Sequence, residues 1–379
     1  MARSSQDSPA ADPLTDAPLA TPPAAPLAPA RRWSRATLAI IGLALALLVA
    51  LTLATLQGTV AIPPLTTLEV ILRHIGLWRG APAWPATDDL ILMQVRLPRA
   101  LGAALVGAAL GVSGTLFQGL LRNPLADPLL LGTSSGAAFG AVVALILTSA
   151  VTVEWLGFSL VALLAFVGAL LAVALVYGLA TRGGRTPVVT LLLAGVVVSA
   201  LLSAAQTLLI VLYTTLQQHF GVLYFWFSGA VSVQSWKQLA IVTGLLAVGL
   251  LAAFWLAPTL DAFALGEEMA GHLGVRVERR KLLIVGAASL LVAASVTLGG
   301  LVGFVGLLAP HACRLLLGPR NRPLVIASAL GGAVFVTLAD LLARTIVAPT
   351  ELPLGVITAF VGGPFFLWLL RAAGQRYRW

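Results

Sequence analysis

The sequence predicts an all-α, polytopic membrane protein with about ten transmembrane helices, and three observations carry this prediction. Hydrophobic residues make up 59% of the 379 positions and charged residues only 10%, with a mean hydropathy of +0.99. A soluble domain needs a polar surface that this composition cannot supply. Long apolar stretches recur along the chain, and basic residues collect beside alternate ends of these stretches. We therefore expect the chain to cross a membrane many times.

Charge and cysteine content exclude several other classes of protein. The formal net charge is +9, but a nucleic-acid-binding protein clusters its basic residues on an exposed face and is far less apolar. The single cysteine, Cys313, rules out an internal disulfide framework and any Cys-rich metal site. The four histidines show no metal-ligand spacing. We expect no metal, no cofactor and no nucleic-acid partner.

Residues 1–36 form a separate zone that is rich in Ala, Pro, Ser and Asp. Repeated prolines and the lack of apolar bulk predict a disordered cytoplasmic tail. A cleaved signal peptide would place its basic residues at the extreme N-terminus, whereas Arg31, Arg32 and Arg35 come late and precede a stretch that is long enough to span. The first span is therefore predicted to be retained as an anchor, with residues 37–379 as the transmembrane domain.

Ten windows are apolar and long enough to cross a bilayer as helices. A hydrocarbon core of about 30 Å takes roughly 20 residues of α-helix, which satisfies all of its own backbone groups there. The windows are 38–56, 100–121, 128–149, 156–180, 188–216, 238–257, 281–298, 301–317, 323–342 and 353–370. The second window carries Gly102, Gly107, Gly111 and Gly114, which predict close helix packing.

Two further features of the windows bear on packing and on turns. Gln118 and Gln206 are uncharged polar residues within spans, and we interpret each as an interhelical hydrogen-bond partner and not as a substrate contact. After the second window, the prolines of 121–128 fix a tight turn in which Asn123 and Asp127 can cap backbone groups.

Basic residues beside the windows predict the orientation, because cytoplasmic segments are enriched in Lys and Arg. With the N-terminus inside, the inner segments collect most of the basic residues. The smaller outer set is Arg73, Arg79, Arg96, Arg99, Lys237 and Arg344. This asymmetry fits an even number of spans with both termini in the cytoplasm.

Between the sixth and seventh windows, residues 258–281 are too polar to span and too regularly patterned to be an idle loop. Two short helices broken at Gly266 would place five apolar side chains in one stripe. These are Leu260, Phe263, Ala264, Met269 and Leu273. The stripe either docks a soluble partner or lies on the lipid headgroups as an interfacial helix, and periodicity alone does not separate these alternatives.

Several motifs follow one another along the chain with a distinctive spacing. They are Arg96-Leu-Pro-Arg99, Gly107-Ala-Ala-Leu-Gly-Val-Ser-Gly114, Gln118-Gly-Leu-Leu-Arg-Asn-Pro-Leu-Ala-Asp-Pro128, Leu131-Gly-Thr-Ser-Ser-Gly136, Ala264-Leu-Gly-Glu267 with His272-Leu-Gly274, Gly303-Phe-Val-Gly-Leu-Leu-Ala-Pro-His311, Ala339-Asp-Leu-Leu-Ala-Arg344, Glu351-Leu-Pro-Leu-Gly355 and Gly363-Pro-Phe-Phe366. In this order they resemble the signature of the FecCD family of permeases, which import ferric siderophores, haem and cobalamin. The resemblance covers about residues 38–372.

The resemblance implies a type II ABC importer permease fold in a bacterial plasma (inner) membrane. Two copies of the chain would surround a central path, with two ATPase subunits below and a periplasmic or lipid-anchored binding protein above. It further implies that residues 258–280 contain the coupling helices, which sit in a groove of each ATPase. The residues implied for ATPase coupling are Leu265, Gly266, Glu267, Glu268, His272 and Gly274.

Three arginines of the outer set gain a role from the resemblance. Arg96 and Arg99 lie at the outer mouth of the second span and Arg344 at the outer end of the ninth, where their family counterparts meet carboxylates of the binding protein. A guanidinium group suits such rim contacts because its planar fork of donors matches a carboxylate. The alternatives are local: Arg344 pairs with Asp340 one helical turn earlier, and Arg96 or Arg99 extends to lipid headgroups.

The chain is predicted to be a transport subunit and not an enzyme, and we assign it no catalytic residue. It contains no phosphate-binding loop of the Gly-x-x-x-x-Gly-Lys-Ser/Thr type, so ATP has to be hydrolysed by a partner. An ion-driven secondary transporter is the competing class, but such proteins bury carboxylates at mid-membrane, and these spans hold almost none. A ferric siderophore is the default cargo, before haem and cobalamin, and no residue separates the three.

Overall fold

The computed structural model describes residues 30–58, 60–78, 80, 84–148, 154–155, 158–213, 216 and 220–374, which are mostly helical. The helices are α1 (Ala30–Leu56), α2 (Pro64–His74), α3 (Ala86–Leu90), α4 (Leu97–Leu121), α5 (Thr133–Thr148), α6 (Leu160–Ala180), α7 (Val188–Leu212), α8 (Phe220–Phe227), α9 (Trp236–Ala264), α10 (Glu267–His272), α11 (Val277–Gly299), α12 (Val305–Leu317), α13 (Asn321–Thr345) and α14 (Leu354–Gly374).

Short irregular elements join some of these helices. A π-helical turn, Ile91–Arg96, runs from α3 directly into α4, and a 3-10 turn, Pro128–Leu131, precedes α5. Two-residue strands, Glu154–Trp155 and Phe158–Ser159, pair antiparallel just before α6. Asn123 and Asp127 accept hydrogen bonds from the backbone N–H groups two residues later, which confirms the predicted capping of this turn.

The ten predicted spans are confirmed as helices. Within the described residues, seven helical stretches are long and apolar enough to cross a membrane: α1, the continuous α3–α4 stretch, α6, α7, α9, α11 and α13. Three shorter apolar helices, α5, α12 and α14, complete the set. Each of the ten falls on one predicted window.

The first helix overlaps the end of the zone predicted as an N-terminal tail. α1 begins at Ala30, before the predicted end of the tail at residue 36. The basic residues at this point do not stop a helix, because Arg has a high helix propensity. The rest of the predicted tail, 1–29, lies outside the described residues, so its disorder stays a prediction.

The bundle is built around α4. This helix packs against α9, α11, α12 and α13, and 89% of the most apolar window of the α3–α4 stretch is buried. The corresponding buried shares are only 6% for α1 and 17% for α7. A helix that is apolar on all sides and still exposed needs lipid or another protein around it. α1 and α7 are therefore peripheral.

Glycines let α4 approach its neighbours closely, as the sequence predicts. A Cβ atom at Gly107 would collide with the carbonyl group of Gly332 in α13, and one at Gly114 would collide with the carbonyl group of Gly306 in α12. Gln118 donates from Nε2 to the carbonyl oxygens of Gly306 and Leu307, each at 3.3 Å. Its predicted role as an interhelical hydrogen-bond partner is confirmed, while that of Gln206 stays a prediction.

Candidate functional site

The predicted site residues lie at opposite ends of the bundle. Arg96, Arg99 and Arg344 lie where α4 begins and α13 ends, and we name this the arginine end. The predicted coupling residues lie between α9 and α11, and Leu260 of α9 contacts Gly119 near the other end of α4. Since α4 has 25 residues, about 37 Å of helix separates the two ends.

Arg96 closes the C-terminal end of α1. Only 3% of its surface is exposed. Its guanidinium donates to the carbonyl oxygens of Thr55 at 3.5 Å and Leu56 at 3.0 Å, and also to that of Val60. The last carbonyl groups of a helix have no partner within it and carry partial negative charge, so a cation stabilises them.

Arg344 closes the same helix end from α13. It is 5% exposed and donates to the carbonyl oxygens of Ala54 at 2.6 Å and Gln57 at 3.2 Å. Its Nε atom lies 3.2 Å from Oδ2 of Asp340, so the local pair that the four-residue spacing allows is present. Direct contact of Arg96 or Arg344 with a partner would first require these bonds to α1 to break.

Arg99 joins two carboxylates at the arginine end. Its Nε and Nη2 atoms donate to Oδ1 of buried Asp340 at 3.1 and 3.0 Å. Its Nη1 and Nη2 atoms donate to Glu351 at 3.0 and 2.9 Å in a bidentate pair. The charges alternate from buried Arg344 through Asp340 and Arg99 to Glu351, whose side chain is 43% exposed.

Glu351 is a candidate rim residue that sequence reasoning did not assign. It lies 252 residues from Arg99, so no helical periodicity connects the two. The only signal in the sequence is its place in the Glu351-Leu-Pro-Leu-Gly355 motif. Of the three predicted docking residues, Arg99 alone has substantial exposure, at 19% of its side chain, and it is already paired.

The predicted helical break at Gly266 is present, but the first of the two predicted short helices is wrong. α9 continues through Pro258 to Ala264, so this part is the end of a long span. A proline removes one backbone donor, and neighbouring packing in a bundle compensates for that loss. Leu260 and Phe263 are each 1% exposed and pack into the core, so they do not belong to an exposed stripe.

A shorter apolar surface remains, which we name the 265–274 ridge. Its members Leu265, Met269 and Leu273 are each more than half exposed. Gly266 has φ +109° and starts α10, and Gly274, with φ +82°, lies in the turn before α11. The structure thus brings the predicted coupling residues together on one short helix and its two flanking turns. Glu268 and His272 are exposed beside the apolar side chains.

Lys281 is a second residue that sequence reasoning did not assign to the site. The sequence marked it only as one of several basic residues. Its side chain is 4% exposed, and its Nζ atom lies 2.6 Å from Oε2 of Glu267 and 3.2 Å from Oε1 of Glu278. Nζ also donates to the carbonyl oxygen of Thr186 at 2.9 Å. In the sequence, only the pairing of Glu278 with Lys281 three residues later is visible.

Comparison with known proteins supplies the wider context. Residues 44–372 match the model of the FecCD transport family. The chain is similar to the cobalamin import system permease protein BtuC of Halobacterium salinarum, with 42% identity over 287 residues, 76% of this chain and 75% of that protein. It is also similar to the hemin transport system permease protein HmuU of Yersinia pestis, with 41% identity over 295 residues, 76% of this chain and 85% of that protein.

A third relative and a solved structure are also similar to this chain. The iron(3+)-hydroxamate import system permease protein FhuG of Bacillus subtilis is 34% identical over 319 residues, 83% of this chain and 91% of that protein. Among solved structures, a metal-chelate type ABC transporter in an inward-facing conformation has a TM-score of 0.71 and 27% identity, covering 88% of this chain and 98% of that one.

Proposed function

Because the chain belongs to the FecCD transport family, whose members are permease components of ABC importers, we propose that it is the membrane-spanning subunit of an ATP-driven importer of iron chelates. A ferric siderophore is the proposed cargo, and haem and cobalamin are the competing ones. The relatives named for hemin, cobalamin and iron-hydroxamate transport motivate all three. The chain itself supplies the path, and separate subunits supply ATP hydrolysis and cargo capture.

The observation that carries this proposal is the 265–274 ridge. Its exposed apolar side chains indicate a partner, because a contiguous apolar surface is costly to leave in water. Lipid headgroups are the alternative occupant, but helices that lie on membranes carry Lys and Arg on their polar face. This ridge instead carries Glu267 and Glu268 in the first turn of α10. We therefore assign it to a groove on an ATPase subunit.

The proposed mechanism is mechanical. Closure of two ATPases around ATP displaces the ridge on each of two permease copies, and the path between the copies changes from outward-facing to inward-facing. In this arrangement the arginine end faces outward and both termini face the cytoplasm, as the distribution of basic residues favours.

The binding protein is proposed to dock at the arginine end. Arg99 and Glu351 form its exposed part, and a partner carboxylate can compete with Glu351 for the Arg99 guanidinium. Arg96 and Arg344 contribute from beneath, because they hold the end of α1 against α4 and α13. Rim charges of this kind affect the rate of association more than the final affinity.

Reconstitution tests the proposed function. The chain is inserted into proteoliposomes with an ATPase and a binding protein from its own genome, and ferric hydroxamate, haem and cobalamin are offered in turn. We expect uptake of one of them that requires ATP and stops when the phosphate-loop lysine of the ATPase is replaced. Uptake without the ATPase, driven by an ion gradient, would contradict the proposal.

A further inference from the structure

Lys281 connects three separate elements at the ridge end of the bundle. Its ammonium group lies 2.6 Å from Glu267 of α10, 3.2 Å from Glu278 of its own helix α11, and 2.9 Å from the carbonyl oxygen of Thr186, just before α7. Glu278 completes the link by accepting the backbone N–H of Thr186 at 2.9 Å. Both backbone groups of Thr186 are therefore held by the side chains of one helix.

The segment that carries Thr186 is stiff. Arg182 and Arg185 exchange two backbone hydrogen bonds, of 3.0 and 3.1 Å, around a two-residue turn. Gly183 and Gly184 both have positive φ, as such a turn requires. The hydroxyl groups of Thr181 and Thr186 are 2.9 Å apart across its base. Only Pro187 separates Thr186 from the start of α7 at Val188, so a displacement of Thr186 is passed on to that helix.

α7 is otherwise weakly held. Its buried residues are Leu191, Gly195 and Val198, and its first turn has no side-chain cap on Pro187. The hydrogen bonds of Thr186 to Lys281 and Glu278, just before α7, therefore contribute much to fixing the position of α7. A pair formed only between Glu278 and Lys281 would stabilise α11 alone, whereas the observed contacts extend to α10 on one side and to α7 on the other.

We propose that Lys281 is a positioning residue for transport, which ties the ATPase-docking ridge to the beginning of α7. The inference rests on the proposed function. When the ridge moves, Glu267 displaces the Lys281 ammonium, and Lys281 and Glu278 together displace Thr186 with α7. The Lys281 ammonium group keeps its partners during this motion, because the loss of one of them would leave a buried charge unpaired.

The test measures cargo uptake per ATP hydrolysed in proteoliposomes that contain the full complex, for wild type, Glu267→Gln, Lys281→Met and the double variant. The cargo is whichever of ferric hydroxamate, haem and cobalamin the wild type takes up. Glu267→Gln removes the ion pair of the arm to α10 and leaves only a neutral acceptor there, while Lys281 keeps Glu278 and Thr186, so the fold is preserved. We expect uptake per ATP to fall about tenfold in each single variant.

Further readouts separate this role from a structural one. The double variant should be no worse than Lys281→Met alone, since both changes break the same link. Lys281→Arg, which keeps the charge, should restore much of the coupling. Lys237→Met is the matched control, since Lys237 is the chain's other lysine and is exposed at the start of α9. The amount of ATPase that copurifies with the chain should be unchanged in Lys281→Met, because this side chain is buried.

The outcomes distinguish the two proposals. If the wild type shows no ATP-driven uptake, the proposed function fails and the inference fails with it. If the wild type transports while Glu267→Gln and Lys281→Met keep normal uptake per ATP, only the inference is overturned. Additive losses in the double variant would likewise overturn it, because they would show two independent effects.

Discussion

At the residue scale, two buried arginines satisfy the same helix end from different directions. Arg96 reaches α1 from the start of the second span, and Arg344 reaches it from the end of α13. Together they supply donors to carbonyl groups of the last turn of α1 and the residue after it, which have no partner within the helix. α1 is the least buried of the seven long helices in the described part of the chain, so these bonds have a large part in attaching it to the bundle.

Replacing Arg344 with Met should therefore destabilise the protein. The change leaves the carbonyl groups of Ala54 and Gln57 without their donor and removes one partner of buried Asp340. We expect a loss of about 2 to 4 kcal/mol of stability. The apparent melting temperature of the detergent-solubilised protein measures it, with Arg73→Met at an exposed position of α2 as the control. Equal melting temperatures for the two variants would contradict the assignment.

Asp127 offers a second test at this scale. Burial raises the pKa of its carboxyl group, and the hydrogen bond from the Leu129 N–H opposes that rise. A raised pKa in the folded state means that protonation favours folding, and this contribution is lost as the pH rises through the folded pKa.

Asp127→Asn should then be neutral or slightly stabilising at neutral pH, because the amide oxygen still accepts from Leu129 without a partly buried charge. Asp127→Ala should cost about 1 kcal/mol through the lost cap. Melting temperatures measured from mildly acidic to neutral pH check both variants. A destabilised Asn variant would show that the charge itself is needed.

At the element scale, the ridge depends on one backbone conformation. Gly266 has φ +109°, which side-chain-bearing residues rarely adopt, and the nearest atom to its missing Cβ is Nη1 of Arg122 at 3.9 Å, an ordinary contact distance. Gly266→Ala should thus strain only the backbone, at a cost of about 1 to 3 kcal/mol, and tilt α10 away from its position.

We expect this variant to remain inserted in the membrane and to lose most of its ATP-driven uptake. Gly244→Ala provides the matched control, because Gly244 lies within α9 and a Cβ atom there meets nothing within 4 Å. Uptake by both variants in proteoliposomes, together with their yield from membranes, decides the matter. Normal uptake by Gly266→Ala would argue against the ridge as the coupling element.

The elements also show how far the sequence could predict the structure. Length and hydropathy located all ten apolar helices, because the bilayer imposes both on every crossing helix. They missed the continuation of α9 through Pro258, since local propensity says nothing about the packing that holds Leu260 and Phe263. The amphipathic pattern of the ridge was partly misassigned for the same reason.

The candidate site was less predictable than the spans. Residue types and motif positions singled out Arg96, Arg99 and Arg344 as candidates. They did not show which guanidinium groups already donate hydrogen bonds within the chain. The bonds that decide this join residues up to 290 positions apart. Lys281 and Thr186, 95 residues apart, are a further case. Such contacts follow from the packing of the helices, which no local pattern contains.

At the scale of the whole molecule, a single copy leaves several apolar helix faces exposed. α1 and α7 are the least buried of the seven long spans found in the described part of the chain. One of them can face lipid throughout, whereas the proposed path between two copies requires the other at their interface. α7 is the better candidate, because its first turn is tied through Thr186 and Lys281 to the ridge that the ATPase is proposed to move.

Cysteine cross-linking tests this arrangement. In a background in which buried Cys313 is replaced by Ser, Val196→Cys places a thiol on the exposed face of α7 and Leu45→Cys places one on α1. We expect oxidation in native membranes to give a covalent dimer with Val196→Cys and little with Leu45→Cys. Addition of ATP and vanadate should change the yield at residue 196, since the proposed motion shifts α7 between its two positions. A dimer formed through residue 45 alone would place α1 at the interface and would break the proposed connection between the ridge and the path.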